Sequence, residues 1–289
     1  LESECPHAIS ISHGYSHWFF GFDTYFIFLK TMNYNTINYH EDLGITTIAL
    51  NRQDRFNAFN SEMRSELLAA LNHANEDERC RVIVLTAEGK AFCAGQDLKD
   101  IEGEVDFEDI LKNGYNPLIK CMRELPKPII GRINGVAAGA GCSLALACDF
   151  IVADSRATFV EAFVSIGLVL DSGSSYFLPR LVGSARAFEL ATMGNKLTAE
   201  KALEWGMINR CVTTENLDDE VQKIALNYAN APTKAIGMMK KMLNDSMHSN
   251  LSEVLDYETK FQEIAGQTYD FNEGVNAFLE KRKPLFKGN

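Results

Sequence analysis

Histidine is scarce in this chain of 289 residues, and four of its six, His7, His13, His17 and His40, fall near the start. Only His73 and His248 remain for the rest, so chemistry built on imidazole has few candidates. The seven cysteines, Cys5, Cys80, Cys93, Cys121, Cys142, Cys148 and Cys211, are odd in number and show no CxxC spacing. That pattern speaks against a disulfide framework or a zinc site, and for apolar thiols in a reducing cytoplasm. No run of about 18 apolar residues occurs, so no helical membrane span is expected. Cations are short as well: 28 Lys and Arg against 39 Asp and Glu leave a net charge of −11, which argues against a general nucleic-acid binder. An anionic ligand has to be met by a local basic patch.

What is present is a 46% hydrophobic content, enough to bury one large core with or without a helical appendage. Residues 1–31 carry aromatics without periodicity and lack the basic start of a signal peptide, whereas Met32 opens a stretch leading into a strand. Met32 reads as the natural start, with 1–31 an N-terminal extension that is a leader, an ordered addition or a scar. The β-branched runs at 44–52 and 80–87 predict buried strands, with a helix between them capped by Ser61 and reaching Ala74. A helix is expected within 107–125, and strands from Pro128, at 150–154 and at 157–161, the last two joined by a turn at Ser155 and Arg156. Beyond Ser172 the pattern is mostly helical, at 184–193, 198–205, 217–229, 233–247, 251–265 and 271–279. The expected organisation is an α/β core over 32–229 and a helical C-terminal region over 230–289. On the helix from Thr233, Ile236, Met239 and Leu243 share a face expected to pack into the core or to meet a partner.

Two glycine-bearing loops stand out. The segment NGVAAGAGCSLALACDF, 134–150, strings Gly135, Gly139 and Gly141 along an apolar run that becomes a helix. Glycine lets a ligand come close to the main chain, and the first N–H groups of a helix have no partner inside it. Ala140 is therefore expected to present a free N–H. FCAGQDL, 92–98, sets a glycine after a strand in the same way and exposes the N–H of Gln96. Two such donors converging on one carbonyl oxygen make an oxyanion hole, each lowering a barrier by about 2.7–4 kcal/mol. Gly139 and Gly141 do not open a dinucleotide fingerprint, because the sixth position is Leu144 and no acidic partner follows suitably. Ser143, in GCSLA, imitates a nucleophile elbow only loosely, and neither His73 nor His248 has a pattern to support it.

Taken in order, NRQDRFNAFN, FCAGQDL, NGVAAGAGCSLALACDF, ATFVEAFVSIGLVLDSGSSYFLPRLVG, LTAEKALEWGMINRCV and EGVNAFLEKRKP resemble the crotonase, or enoyl-CoA hydratase/isomerase, superfamily from Met32 to Asn289. Within it the likeness is strongest to branches that isomerise epoxyphenylacetyl-CoA, in phenylacetate catabolism, and Δ3-Δ2-enoyl-CoA. The resemblance implies an α/β spiral of repeated ββα units. Its helical C-terminal region would serve oligomerisation, as a homotrimer or dimer of trimers, and closure of the active site. The implied substrate is an acyl-CoA thioester, with CoA part of the substrate and no separate cofactor or metal.

The same resemblance makes Gln96 and Ala140 the two oxyanion-hole amides, the places that the backbone argument picks independently. Hydratases of the family carry two glutamates, which fall here on Ser143 and Phe163, and use them to orient and deprotonate water. With neither carboxylate present, hydration is not the expected reaction. Asp171 falls at a catalytic position of family isomerases, and its neighbours Val169 and Leu170 would raise its pKa into the range of a proton shuttle. An Asp before Ser-Gly-Ser-Ser and a helix is also a good N-cap. Glu161 reads as a solvated strand edge.

For binding, Arg55 and the tail around Lys281 and Arg282 would meet the CoA phosphates, and Ala58 with Ala94, Asp97 and Leu98 would hold the pantetheine and thioester. Phe163, Phe177 and residues 100–115 would shape the acyl pocket, with Ser143 also lining it. The expected activity is acyl-CoA isomerisation, by a double-bond shift or the opening of a ring epoxide. The alternatives are a hydratase using Glu161 or Asp171, and a non-catalytic acyl-CoA-binding protein.

Overall fold

Between β1 (Ile37–Asp42) and β2 (Ile45–Leu50) the chain turns at Leu43 and Gly44, both at positive φ, and the two strands pair antiparallel. The computed structural model describes residues 34–101 and 105–289, so the extension expected over 1–31 lies outside the described residues. β1 was not anticipated: it is an edge strand whose only buried residue is Ile37, and its sequence INYHED carries little apolar signal. The helix α1 (Ser61–Glu76) follows. Its cap is Asn60 rather than Ser61, because the extended Asn60 side chain accepts a hydrogen bond from the Met63 N–H at 2.9 Å.

β3 (Val82–Ala87) pairs in parallel with β2, setting Ile45 opposite Val82. Successive strand residues point to opposite faces. Val82 and Val84 accordingly pack with Ile45 in one apolar cluster, while Ile83 and Leu85 join Ile48, Leu50 and the Leu67 and Leu71 face of α1 in the other. This two-sided burial is why the run reads as continuously hydrophobic.

A spiral then builds by repetition. β4 (Ala91–Cys93) leads through a loop to α2 (Phe107–Asp109), a π-helical turn over Ile110–Tyr115, and α3 (Asn116–Glu124). The next turn is β5 (Ile129–Ile133), β6 (Val136–Ala138) and α4 (Ala140–Leu146), and the next opens with β7 (Phe150–Asp154) and β8 (Thr158–Val160). In each turn the first strand joins a larger sheet and the second a smaller one. β4, β6 and β8 run parallel to one another in the smaller sheet. The chain continues through α5 (Ser174–Val182), α6 (Ser184–Met193), β9 (Leu197–Thr198), α7 (Ala199–Glu204), β10 (Arg210–Val212) and α8 (Thr214–Ala229). The larger sheet thus has the order β1-β2-β3-β5-β7-β10 and the smaller β4-β6-β8-β9. Leu217, Val221 and Ala225 of α8 cover the Val82–Val84 side.

Three helices follow, α9 (Thr233–Ser246), α10 (Leu251–Gly266) and α11 (Tyr269–Leu279). The inward face of α9 differs from the expectation of core packing. Met239 and Leu243 are 58% and 68% exposed, and the buried residues are Thr233, Gly237 and Lys240. Polar anchoring decides the orientation: Lys240 Nζ donates to the carbonyls of Met122 and Lys127 and to Asp149 at 2.6 Å. Gly237 lies so close to Pro126 that a Cβ there would stand 2.3 Å from its carbonyl oxygen. Among the described residues no helix is long and apolar enough to cross a membrane.

Candidate active site

The two glycine loops are pressed against each other by the β4–β6 pairing. Gly95 has φ +97, and a Cβ at that position would stand 2.9 Å from the Ala138 carbonyl oxygen and 3.7 Å from the Ala140 nitrogen. Only glycine fits such a turn. Phe59 brackets the loop: its N–H donates to the Gly95 carbonyl at 2.7 Å, and its carbonyl accepts from the Asp97 N–H at 2.9 Å. The Gln96 N–H between them has no acceptor among the described residues, nor has the Ala140 N–H that opens α4.

The Gln96 side chain is held separately. Its Oε1 accepts from Arg64 Nη1 at 2.8 Å and from the Tyr115 hydroxyl at 2.7 Å, and the Arg64 guanidinium lies over the Tyr115 ring. Tyr115 ends the 100–115 stretch expected to shape the acyl pocket and does line the cavity, whereas Arg64 lies in no recognisable motif and carries no signal in the sequence. Gln96→Leu removes this half-buried acceptor while keeping the main-chain N–H. It is expected to lower stability by about 1–3 kcal/mol, read as a shift in the urea midpoint.

A cavity of about 230 Å³ opens between the loops, lined by Ala94, Gln96 and Leu98 from one side and Gly139 and Ala140 from the other. Phe107, Ile110, Leu111, Tyr115, Phe163 and Ile166 give it an apolar wall, and Asp171 stands among them. Thus Gln96, Ala140, Asp171, Ala94, Leu98 and Phe163 are brought together. Arg55, Ala58, Asp97, Ser143 and Lys281 do not line this cavity. Arg55 is paired with its neighbour Asp54 at 3.4 Å, the Ala58 carbonyl accepts from Arg52, and Asp97 forms an ion pair with Arg52 at 3.1 Å. Arg282 is committed to Glu273 and Glu280. Phe177 faces elsewhere, packing on Gly173 and under the Arg123 guanidinium.

Ser143 is 0% exposed and so cannot line the pocket as expected. Its hydroxyl reaches the Gly139 and Asp171 carbonyls and the Ser174 hydroxyl, and it has no imidazole partner among the described residues. Asp171 does not cap α5, because the cap position falls on Gly173 and the helix has no side-chain cap. Its carboxylate instead accepts from Ser172 Oγ at 2.8 Å, and burial raises its pKa above the ordinary value against that hydrogen bond.

Glu161 corrects another expectation. It is 2% exposed rather than a solvated edge. The residue lies one place beyond β8, at the start of a short 3-10 turn, where strand alternation no longer fixes the side. Burial, before all other causes, pushes its carboxyl up to about 7. Among the described residues no group of three His, Cys, Asp or Glu is arranged to hold a metal ion.

Residues 40–289 match the family model for enoyl-CoA hydratase/isomerase. The chain belongs to that family. It is 43% identical over 254 residues, 86% of this chain and 97% of the relative, to the 1,2-epoxyphenylacetyl-CoA isomerase of Escherichia coli (strain K12). A trans-2-decenoyl-[acyl-carrier-protein] isomerase of Streptococcus mutans is 33% identical over 262 residues, 89% of this chain and 100% of the relative. The crystal structure of an enoyl-CoA hydratase from Bacillus anthracis superposes with a TM-score of 0.83 at 32% identity, covering 88% of this chain and 100% of that one. As an enoyl-CoA hydratase/isomerase family member, the protein is an enzyme of acyl-CoA thioesters. The spiral of ββα units is the fold expected of it.

Proposed function

We propose that this family member is an acyl-CoA isomerase, moving a double bond or opening a ring epoxide of a CoA thioester. One observation carries the reading: of the described residues lining the cavity, Asp171 alone bears a carboxylate. Ser143 stands where family hydratases hold a glutamate, and Glu161 is buried outside the lining. A single carboxylate suffices for isomerisation, since it takes a proton from one carbon and returns it to another. Adding water across a double bond engages a pair.

In the double-bond shift, the thioester oxygen accepts from the Gln96 and Ala140 N–H groups. Asp171 removes a proton from C2, and the electron pair spreads into a dienolate with its negative charge on that oxygen. The two amides favour this charge because they are already oriented when it forms. The newly formed carboxylic acid then returns the proton to C4. On a ring epoxide the same amides hold the thioester while Asp171 assists the opening. The scheme draws its acidity from the thioester and calls for no separate cofactor.

Whole-ligand pockets run to about 300–1,000 Å³, so a cavity of about 230 Å³ suits the acyl group and leaves the nucleotide outside. Exposed Arg55 and Lys281 are the cations proposed to meet it, with the Ala58 and Asp97 backbone along the pantetheine. Leu251, Leu255, Phe271 and Phe278 leave apolar surface exposed on α10 and α11, which supports burial between copies in a trimer or dimer of trimers.

The test offers 3-enoyl-CoA, crotonyl-CoA and epoxyphenylacetyl-CoA in turn. Conversion of the first or third without change of mass is expected, with crotonyl-CoA left intact. Rapid loss of the conjugated absorbance of crotonyl-CoA, with the mass gain of one water, overturns the reading in favour of a hydratase.

A further inference from the structure

Behind the cavity wall three side chains make a continuous line of short contacts. Glu161 Oε1 lies 3.0 Å from Ser174 Oγ, which lies 2.8 Å from Ser143 Oγ, which lies 3.1 Å from the main-chain carbonyl of Asp171. Glu161 Oε2 has no hydrogen-bond partner among the described residues. Three links need three protons, and the two hydroxyls bring two, because a carbonyl brings none. With an ionised Glu161 one oxygen–oxygen contact is left without a hydrogen. With a protonated Glu161 every link of this line is filled, all running from the carboxyl to the Asp171 carbonyl, and only the longer 3.3 Å approach of Ser143 Oγ to the Gly139 carbonyl is left without a hydrogen of its own. A charged carboxylate with one oxygen buried and unsolvated is also far costlier than a neutral acid.

The surroundings agree. The titratable groups facing Glu161 are the Cys142 thiol on α4 and the Asp171 carboxylate. Burial raises its pKa most, the Ser174 and Cys142 contacts lower it, the Asp171 charge raises it further, and no cation among the described residues offsets these effects. An ionised Asp171 thus helps to keep Glu161 protonated, which separates the two carboxyls into a base and an acid.

We infer that Glu161 is a positioning residue, a neutral acid whose proton completes the chain that holds the Asp171 carbonyl and so sets where the Asp171 carboxylate stands. The inference rests on the reading of Asp171 as the base. The hold matters because Ser172 and Gly173 follow at φ 49 and φ 87, a turn that an L-residue such as Ser172 enters only under constraint. Two donors secure it on the Asp171 carbonyl, the Ser174 N–H at 3.0 Å and the Ser143 hydroxyl. Once Glu161 ionises, Ser174 turns its hydrogen to the carboxylate. Ser143 then has one hydrogen for three acceptors, Ser174 and the Asp171 and Gly139 carbonyls. The line ends on a carbonyl, so it orients Asp171 and does not carry a proton to the cavity.

The test is the pH profile of kcat and KM for 3-enoyl-CoA isomerisation. Wild-type kcat is expected to fall as pH rises through about 7, with little change in KM. Glu161→Leu should lower kcat about tenfold below pH 7, the loss of one hydrogen bond to the chain, with the deficit shrinking above it as the wild type loses the same proton. Glu161→Gln, whose amide donates at every pH, should restore kcat and remove the alkaline limb. Ser174→Ala reports on the same chain should the leucine variant not fold. An alkaline limb retained in Glu161→Gln, or full kcat in both Glu161→Leu and Ser174→Ala, overturns the inference.

The proton is also readable without turnover. A pH-difference infrared spectrum of the wild type should show a neutral carboxylic-acid band disappearing near pH 7, absent from Glu161→Gln. No such band overturns the inference even where isomerisation is found. Full activity in Asp171→Asn, with the band unchanged, overturns the assignment of the base and the positioning role with it.

Discussion

Asp171→Asn lowers kcat by about 10²–10⁴-fold, the usual contribution of a positioned general base, while the affinity for an unreactive CoA ester stays within a few-fold. The asparagine keeps the shape of the side chain and can still accept from Ser172 Oγ, which lies 2.8 Å from the carboxylate. What it cannot do is take a proton. Wild-type activity should decline as pH falls through a pKa that burial holds above the ordinary aspartate value, because the carboxylate must be ionised to act.

Stability moves the other way. A buried carboxyl whose folded pKa is raised binds protons more tightly in the folded chain than in the unfolded one. Its ionisation therefore costs stability as pH rises from the unfolded to the folded pKa, and the cost persists above. Asp171→Asn removes that cost, so Tm at neutral pH is expected to hold or rise while kcat collapses. Undiminished turnover in the variant takes Asp171 out of the mechanism.

Gly141→Ala is the second large effect, and it acts through space. A Cβ at Gly141 would stand 2.3 Å from the Cys93 carbonyl oxygen, 2.7 Å from its Cβ and 2.8 Å from its Sγ. Gly141 has no positive φ to protect, so the penalty is steric. Cys93 ends β4, three residues before Gln96, and Gly141 follows Ala140 at the start of α4. Making room separates the two segments that carry the candidate donors. Losing one oxyanion donor costs about 10²–10³ in kcat, and overpacking a filled interior costs about 1–3 kcal/mol of stability. Gly237→Ala is the control. Its Cβ would come equally close to the Pro126 carbonyl, 2.3 Å, but Gly237 does not line the cavity. It should lower Tm and leave the kcat of the folded enzyme unchanged. Wild-type kcat in folded Gly141→Ala separates the oxyanion argument from the chemistry.

Much of the larger sheet was legible because its strands are buried on both faces, and runs such as VIVLTA have no polar side to confuse the reading. β4 and β6, of three residues each, show no strand signal in the glycine-bearing loops of the sequence, since so short a segment has no period. The helix ends were near their expected places wherever apolar spacing marked them. On α9 that spacing misled, because a buried lysine with three oxygen partners outweighed an apolar stripe. Glu161 was misread for a related reason: alternation is informative within a strand and lapses at its end, where the turn sets the direction of the side chain.

Taken alone, the amino-acid sequence determined the family, and through that resemblance the ββα spiral, and it marked the two glycine loops, because each motif depends on residues close together in the chain. It also marked Asp171, through its local context. Tertiary structure alone decided that Gln96, Ala140 and Asp171 share one cavity, that Ser143 lies behind its wall, and that Glu161 is buried beside Ser174. Those relations join segments 13 or more residues apart. They follow from how two sheets and a spiral of helices exclude water, which no local pattern encodes.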